Sequence, residues 1–272
     1  MAWRSSGSTN AELVDNLVRG SLLQSPRVIE AFKRVDRRFY VQDKYEAYQD
    51  SPSYIGYGAT ISAPHMHAHA VENLEPFLKP GANVLDVGSG SGYLCGILHS
   101  LVQPGGTVLG IDHLDGLVTM ARRNLANDPS TAPALCDNQD SPVDPKVPGS
   151  KTMQVIKADG RMGAPEEFLP HGGWQAIHVG AAAPHLPQPL IDQVRFFRFT
   201  ISPHHKLVAN LLRSVPELAS PGRMFIPVGS ALQAIWQIDK DAEGNVTEKE
   251  LFGVSYVPLT DAQEQYPEYG SP

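Results

Sequence analysis

Asn83-Val84-Leu85-Asp86-Val87-Gly88-Ser89-Gly90-Ser91-Gly92 is the stretch whose reading decides the fold. Its first five residues are an apolar run of strand length with one acid near the carboxyl end. Gly88, Gly90 and Gly92 then make a turn in which side chains would collide with a ligand lying against the backbone. A helix over residues 91–102 follows, and its first N–H groups lack intrahelical partners and can meet that ligand. The glycine spacing is G-x-G-x-G, not the G-x-G-x-x-G of dinucleotide enzymes. Asp112 ends the next strand, residues 107–111, roughly 20 residues past the loop, where an acid accepts hydrogen bonds from ribose hydroxyls. An adenosine-bearing cofactor fits this pattern, which alone leaves S-adenosylmethionine and NAD both open.

Outward from this core the rhythm is regular. Helices are expected over residues 65–78 and 114–126, and strands over 153–158, 174–179 and 224–228. Alternation of strand and helix means right-handed βαβ crossovers and a mostly parallel central sheet with helices on both faces. Residues 231–239 and 249–257 pair as a closing antiparallel hairpin about Glu243-Gly244-Asn245. Asp159-Gly160 ends the third strand: the carboxylate can accept the adenine amino group and Gly160 lets the backbone approach the ring. An Asx-type turn is the other reading of that dipeptide. Third in a series after the glycine loop and Asp112, it favours a Rossmann-like, S-adenosylmethionine-dependent methyltransferase fold. Asp86 either faces the cofactor's amino group or serves a turn.

Two helices precede the sheet. Thr9 and Glu12 have capping-box spacing before Leu13, Val14, Leu17 and Val18, with Gly20 as a stop. Ser25-Pro26 starts the second, with Val28, Ile29, Phe32 and Val35 on one face. Residues 40–62 lack periodicity and read as a long functional loop. The 272 residues fit one α/β domain: an N-terminal part (1–62) and a Rossmann-like core (63–272) with surface insertions near 128–150 and 195–218. A formal charge of −7 without basic clusters argues against nucleic acid. Two cysteines, Cys95 and Cys136, are too few for a disulfide framework or a zinc site. No apolar signal core or membrane-length run is present, so a cytoplasmic protein is expected, with no membrane association and as a monomer.

The chain resembles the protein-L-isoaspartate O-methyltransferases. The resemblance rests on residues 59–67 (Ala59-Thr60-Ile61-Ser62-Ala63-Pro64-His65-Met66-His67) and 85–92, then on 110–113, 159–163, 176–184 and 256–260 (Tyr256-Val257-Pro258-Leu259-Thr260). It implies that Ser62 is the active-site serine and that Ala59, Thr60, Ile61 and His67 line the cofactor and substrate pocket. It further implies that Ser91, Asp112, Asp159, Gly160 and Thr260 bind S-adenosyl-L-methionine. The implied substrates are proteins and peptides carrying L-isoaspartyl, and possibly D-aspartyl, residues. Their free α-carboxylate is already a nucleophile at neutral pH, so positioning and water exclusion suffice. The methyl ester leaves as the neighbouring amide re-forms a succinimide, which opens partly to normal aspartate. Under this reading Ser62 donates a hydrogen bond that places the carboxylate and is no covalent nucleophile.

His65, His67 and His69 invite a metal reading, but on a helix only His65 and His69 share a face and no third ligand is in view, so no metal is expected. Trp3, Trp174 and Trp236 read as packing residues; Tyr54 and Tyr57 either cover a bound peptide or pack on the surface. The resemblance also implies a short link from Leu190-Ile191-Asp192-Gln193 to Pro221-Gly222, where this chain has a longer, apolar and basic one that is partly compatible with an amphipathic helix. That stretch is a tolerated insertion, a partner or membrane-surface site, or translated intron sequence. The alternatives to a working methyltransferase are an S-adenosylmethionine-binding adaptor without turnover and, against the glycine spacing, an NAD-dependent dehydrogenase.

Overall fold

The computed structural model describes residues 5–138, 141–143, 150–194 and 221–266. The deciding run forms β3 (Asn83–Val87) and, beyond the glycine turn, α4 (Tyr93–Val102). β4 (Thr107–Asp112), α5 (Asp115–Asn127), β5 (Met153–Lys157) and β6 (Ala176–Val179) continue the series. After α6 (Gln188–Gln193) come β7 (Gly222–Val228), β8 (Gln233–Lys240) and β9 (Val246–Val254). The sheet order is β5-β4-β3-β6-β7-β8-β9, parallel from β5 to β7 and antiparallel across β7-β8 and β8-β9. The expected closing hairpin is therefore present, with its second strand beginning earlier, at Val246.

Strand alternation sorts the sheet's side chains onto two cores. Val84, Val108, Val155, Ala176 and Phe225 face the larger one, built with the helices before and between the strands. Leu85, Val87, Ile111, Ile177, Val179 and Ile226 face the other, closed by α6, Trp174 and Phe168. Both faces are covered, unequally. Trp236 packs against the second core, as expected of a packing residue; Trp3 lies outside the described residues.

α1 (Asn10–Arg19) and α2 (Pro26–Arg34) lie where the caps put them. Thr9 Oγ1 accepts the Glu12 N–H at 3.2 Å. The other half of the capping box is shifted: Glu12 returns to the Ser8 N–H at 2.8 Å rather than to Thr9. Leu13, Val14 and Leu17 are buried, each stabilising by roughly 2 kcal/mol. α3 (Pro64–Leu74) begins at Pro64 and ends four residues short of the expected Leu78, giving way to a 3-10 turn at Glu75–Phe77.

Two expectations are corrected. The supposed loop before Ser62 contains an antiparallel hairpin, β1 (Ser53–Gly56) and β2 (Ala59–Ile61). Strands this short show no periodicity; this one is held by tertiary contacts, including Gln42 Nε2 to the Ile55 carbonyl at 2.6 Å. The excursion placed at 128–150 starts later. Asp128 is buried and accepts from the Tyr40 hydroxyl at 2.9 Å, and Cys136 donates its N–H to Met153 at 2.8 Å. The amphipathic stretch read at 195–218 lies outside the described residues. α7 (Ala262–Gln265) is the last element.

Candidate active site

From β3 the chain runs to β4 and β5 on one side and then to β6 on the other, so the strand order reverses at β3. Open α/β sheets bind ligands in the crevice at such a point. The loop glycines there all have left-handed φ: +72° at Gly88, +50° at Gly90 and +85° at Gly92. L side chains rarely adopt these values, so backbone shape is a sufficient reason for glycine here. Asp112 Oδ2 accepts the Gly90 N–H at 3.0 Å, and burial pushes its carboxyl up against these backbone bonds. Ser91 is buried with its carbonyl held by Asn124 Nδ2 at 3.0 Å, tying the loop to α5. Ser89 Oγ and His113 Nε2, in the same wall, are buried without a partner among the described residues. Buried polar atoms are normally paired, so these two are exceptions in the packing behind the loop. Both lie inside stretches that carry the resemblance, 85–92 and 110–113, though neither was assigned a role there.

A second group of candidates lines a cavity of about 660 Å³ beside β6. Thr60 and Ser62 reach it from β2 and its C-terminal end, while Ala59 and Ile61 alternate into the core. His65, Met66 and His69 line it from the first turns of α3, and Gly253 to Val257 from the end of β9 and the strand's continuation. The Tyr256 phenol shares the cavity with Ser62, and burial pushes it up to about 12. His67 turns the opposite way. It is buried against the Tyr93 ring, 5.2 Å between centroids, with Nδ1 3.5 Å from Arg37. Burial, and next the Arg37 charge, hold its imidazole well below the usual range. Its place two residues on from His65 in α3 puts it on the inner face.

Arg37 is wholly buried, and its Nη2 donates to the Ser62 carbonyl at 2.9 Å. Asp50, also buried, holds His65. Both were missed in the sequence, because their partners lie 25 and 15 residues away with no local signature.

The remaining candidates are placed elsewhere. Both Asp86 oxygens are taken inside the sheet: Oδ1 by His178 Nδ1 at 2.7 Å, directly opposite on β6, and Oδ2 by the Cys95 thiol at 3.1 Å. Asp159 makes the Asx-type turn, accepting the Arg161 N–H at 3.0 Å, and pairs with the Arg161 side chain, which holds its carboxyl below the usual range. The Thr260 hydroxyl donates to Glu264, in a cleft that adjoins the Ser62 cavity through Ser255 and Tyr256. Gly160 is needed for packing, since a Cβ there would sit 2.5 Å from Val87 Cγ1 on the central strand. Gly160→Ala is therefore expected to cost about 2 kcal/mol through overpacking. A melt should fall by on the order of 5 °C, and an unchanged melt would show that Val87 gives way freely.

The family model of protein-L-isoaspartate(D-aspartate) O-methyltransferase matches residues 8–196 and 210–264. The chain belongs to that family. Protein-L-isoaspartate O-methyltransferase 1 of Arabidopsis thaliana is 38% identical over 96% of this chain and 95% of its own. The Caenorhabditis elegans protein-L-isoaspartate O-methyltransferase is 39% identical over 98% and 99%. A Plasmodium falciparum protein described as a protein-L-isoaspartate O-methyltransferase, solved in complex with S-adenosyl-L-homocysteine, superposes with a TM-score of 0.70 at 27% identity, covering 93% and 99%. The isoaspartate methyltransferase match spans every motif above and breaks only at residues 197–209, inside the long link after α6.

Proposed function

We propose that this chain transfers a methyl group from S-adenosylmethionine to the free α-carboxylate of L-isoaspartyl residues in damaged proteins and peptides, with Ser62 placing the carboxylate. The observation that carries this is the conjunction, at one end of the sheet, of the Gly88–Asp112 wall and the cavity that holds Ser62 and Tyr256. Asp112 stands beside the glycine loop where a nucleoside would lie, with Gly88, Gly90, Ser91 and Gly92 shaping the loop and Asp159, Gly160 and Thr260 at its margins. When bound, S-adenosylmethionine supplies an electrophilic methyl, and the carbon–sulfur electron pair leaves with sulfur as the carboxylate oxygen takes that methyl.

The protein's own work is placement. A carboxylate is ionised at neutral pH, so no base is needed. The Ser62 and Tyr256 hydroxyls supply neutral donors, and Phe252, Val254, Val257 and Met66 supply an apolar wall that excludes water. The Asp86–His178 pair lies beneath Gly180, which lines the same cavity, and braces β3 against β6. We read the chain as one catalytic domain, acting as a monomer in the cytoplasm. Both cysteines are free, which fits a reducing compartment, and no helix among the described residues is long and apolar enough to cross a membrane.

The test is methyl transfer to matched peptides containing isoaspartate or aspartate. Transfer confined to the isoaspartyl peptide is expected. Transfer to neither, with S-adenosylhomocysteine still bound, would leave the adaptor reading. Ser62→Ala should lower kcat/KM about thirty-fold, the worth of one hydrogen bond to a charged group; an unchanged kcat/KM would remove Ser62 from the mechanism.

A further inference from the structure

Asp50 devotes one oxygen to a single residue twice over. Its Oδ1 accepts the backbone N–H of His65 at 2.9 Å and lies 2.8 Å from the ring Nδ1 of the same residue. The backbone bond is what a carboxylate at a helix N-terminus is expected to make. The ring bond is not needed for that. It fixes the imidazole's orientation and, from the hydrogen-bond network, assigns the Nδ1 proton, leaving Nε2 without a partner among the described residues. The Asp50 side chain is wholly buried, and that of His65 is 22% exposed in the cavity that holds Ser62.

That cavity has an unusual lining for one that takes an anion: among the described residues no Lys, Arg, Asp or Glu contributes to it. Its ionisable groups are His65, His69 and Tyr256. His69 packs on the Phe252 ring, 5.1 Å between centroids, and burial lowers its basicity, so it stays neutral. The Tyr256 phenol is pushed up to about 12 and is also neutral. Behind Asp50 lies the buried Arg37, whose charge interacts with it, and His67 stacks on the same Tyr93 ring that Arg37 covers. Arg37, Asp50 and His65 thus follow one another toward the cavity as guanidinium, carboxylate and imidazole.

We propose that His65, held by Asp50, is the residue that receives the carboxylate of the substrate, through its Nε2–H. This rests on the isoaspartyl reading above and adds the group that selects the charged substrate. The negative charge on the carboxylate is spent as the methyl is transferred, so the contact stabilises the bound ground state at least as much as the transition state. Its loss therefore appears in KM rather than in kcat.

The experiment uses the full chain, an isoaspartyl peptide as substrate, and the same peptide with its α-carboxylate replaced by carboxamide as a competitive inhibitor. The wild type should bind the carboxylate form at least tenfold more tightly than the amide. His65→Gln should raise KM about tenfold with kcat within threefold, leave the amide's Ki unchanged, and so erase the discrimination. S-adenosylhomocysteine affinity should not move. A KM within twofold of wild type overturns the proposal, and so does equal weakening of both peptides, which would mark His65 as packing. Equal binding of the two peptides by the wild type overturns it without any variant. Failure of the wild type to methylate the isoaspartyl peptide would overturn the underlying activity, a separate and recognisable outcome.

Discussion

Arg37→Leu is expected to lower kcat by about a hundred-fold while leaving S-adenosylhomocysteine binding within a few-fold. Arg37 is buried with its guanidinium 5.3 Å from the Tyr93 ring centroid, and burial lowers its pKa to about 10, so it remains charged at neutral pH. It has no carboxylate within ion-pair distance among the described residues, and its Nε has no partner. An apolar substitute leaves the buried Asp50 charge without this neighbouring cation, so a melt is run beside the kinetics to confirm that the variant is folded. What it does is hold the Ser62 carbonyl. Releasing that carbonyl lets the segment carrying Ser62 and His65 drift together, and a displacement of about 1 Å in a positioned site costs on the order of a hundred-fold in kcat, with the weakened His65 contact appearing separately in KM. Arg37→Lys, which can still reach the carbonyl, should recover part of the loss. A kcat reduced less than about fivefold in the leucine variant, with its fold intact, would show that Ser62 is placed by other means.

Acid is expected to unfold the protein through two buried histidines. Burial lowers the His99 pKa to about 4, and that of His67 lies well below its usual range. At pH values above about 6.5, both the folded and unfolded forms of His99 are neutral and no penalty arises. Between about 6.5 and 4 the unfolded chain takes up a proton that the folded protein refuses. Stability then falls by about 1.4 kcal/mol per pH unit, to a total near 3 kcal/mol for His99. Below its folded value the penalty is complete. His99→Gln keeps a side chain able to meet Thr152, the present partner at 2.8 Å, and should flatten this part of the curve. Urea unfolding at pH 7.5, 6 and 4.5 checks it; parallel curves for variant and wild type would dismiss His99 as the source.

Much of the architecture could be read from local pattern. β3, its glycine turn and α4 declare themselves through an apolar run meeting alternating glycines, and Asp112 through its distance from them. The phase of α3 was also legible: Pro64 fixes its start, so His65 and His69 share the face that meets the cavity. His67, two residues on from His65, lies on the inner face against Tyr93, an orientation that the resemblance does not carry. Asp86 was left open between cofactor and turn, and its true partner His178 follows only from β3 and β6 being neighbours in register. Arg37 and Asp50 were invisible for the same reason. A buried polar group acquires its meaning from a partner brought by tertiary structure, and no periodicity marks that. The β1–β2 hairpin fell below any useful window, and for Asp159 the plain turn reading of Asp-Gly describes the local geometry.

Cys95 sits at 0% exposure in α4, its thiol donating to Asp86 between the central strands, whereas Cys136 is partly exposed. Burial raises the Cys95 thiol well above its usual pKa, so in the folded protein it is both shielded and protonated, and the thiolate is the reactive form. The protein therefore carries an internal clock. Alkylation of Cys136 records elapsed reagent time, and alkylation of Cys95 records how often the sheet's centre comes apart. The ratio of the two in a single mass spectrum measures opening events in the native chain, without any probe having been introduced.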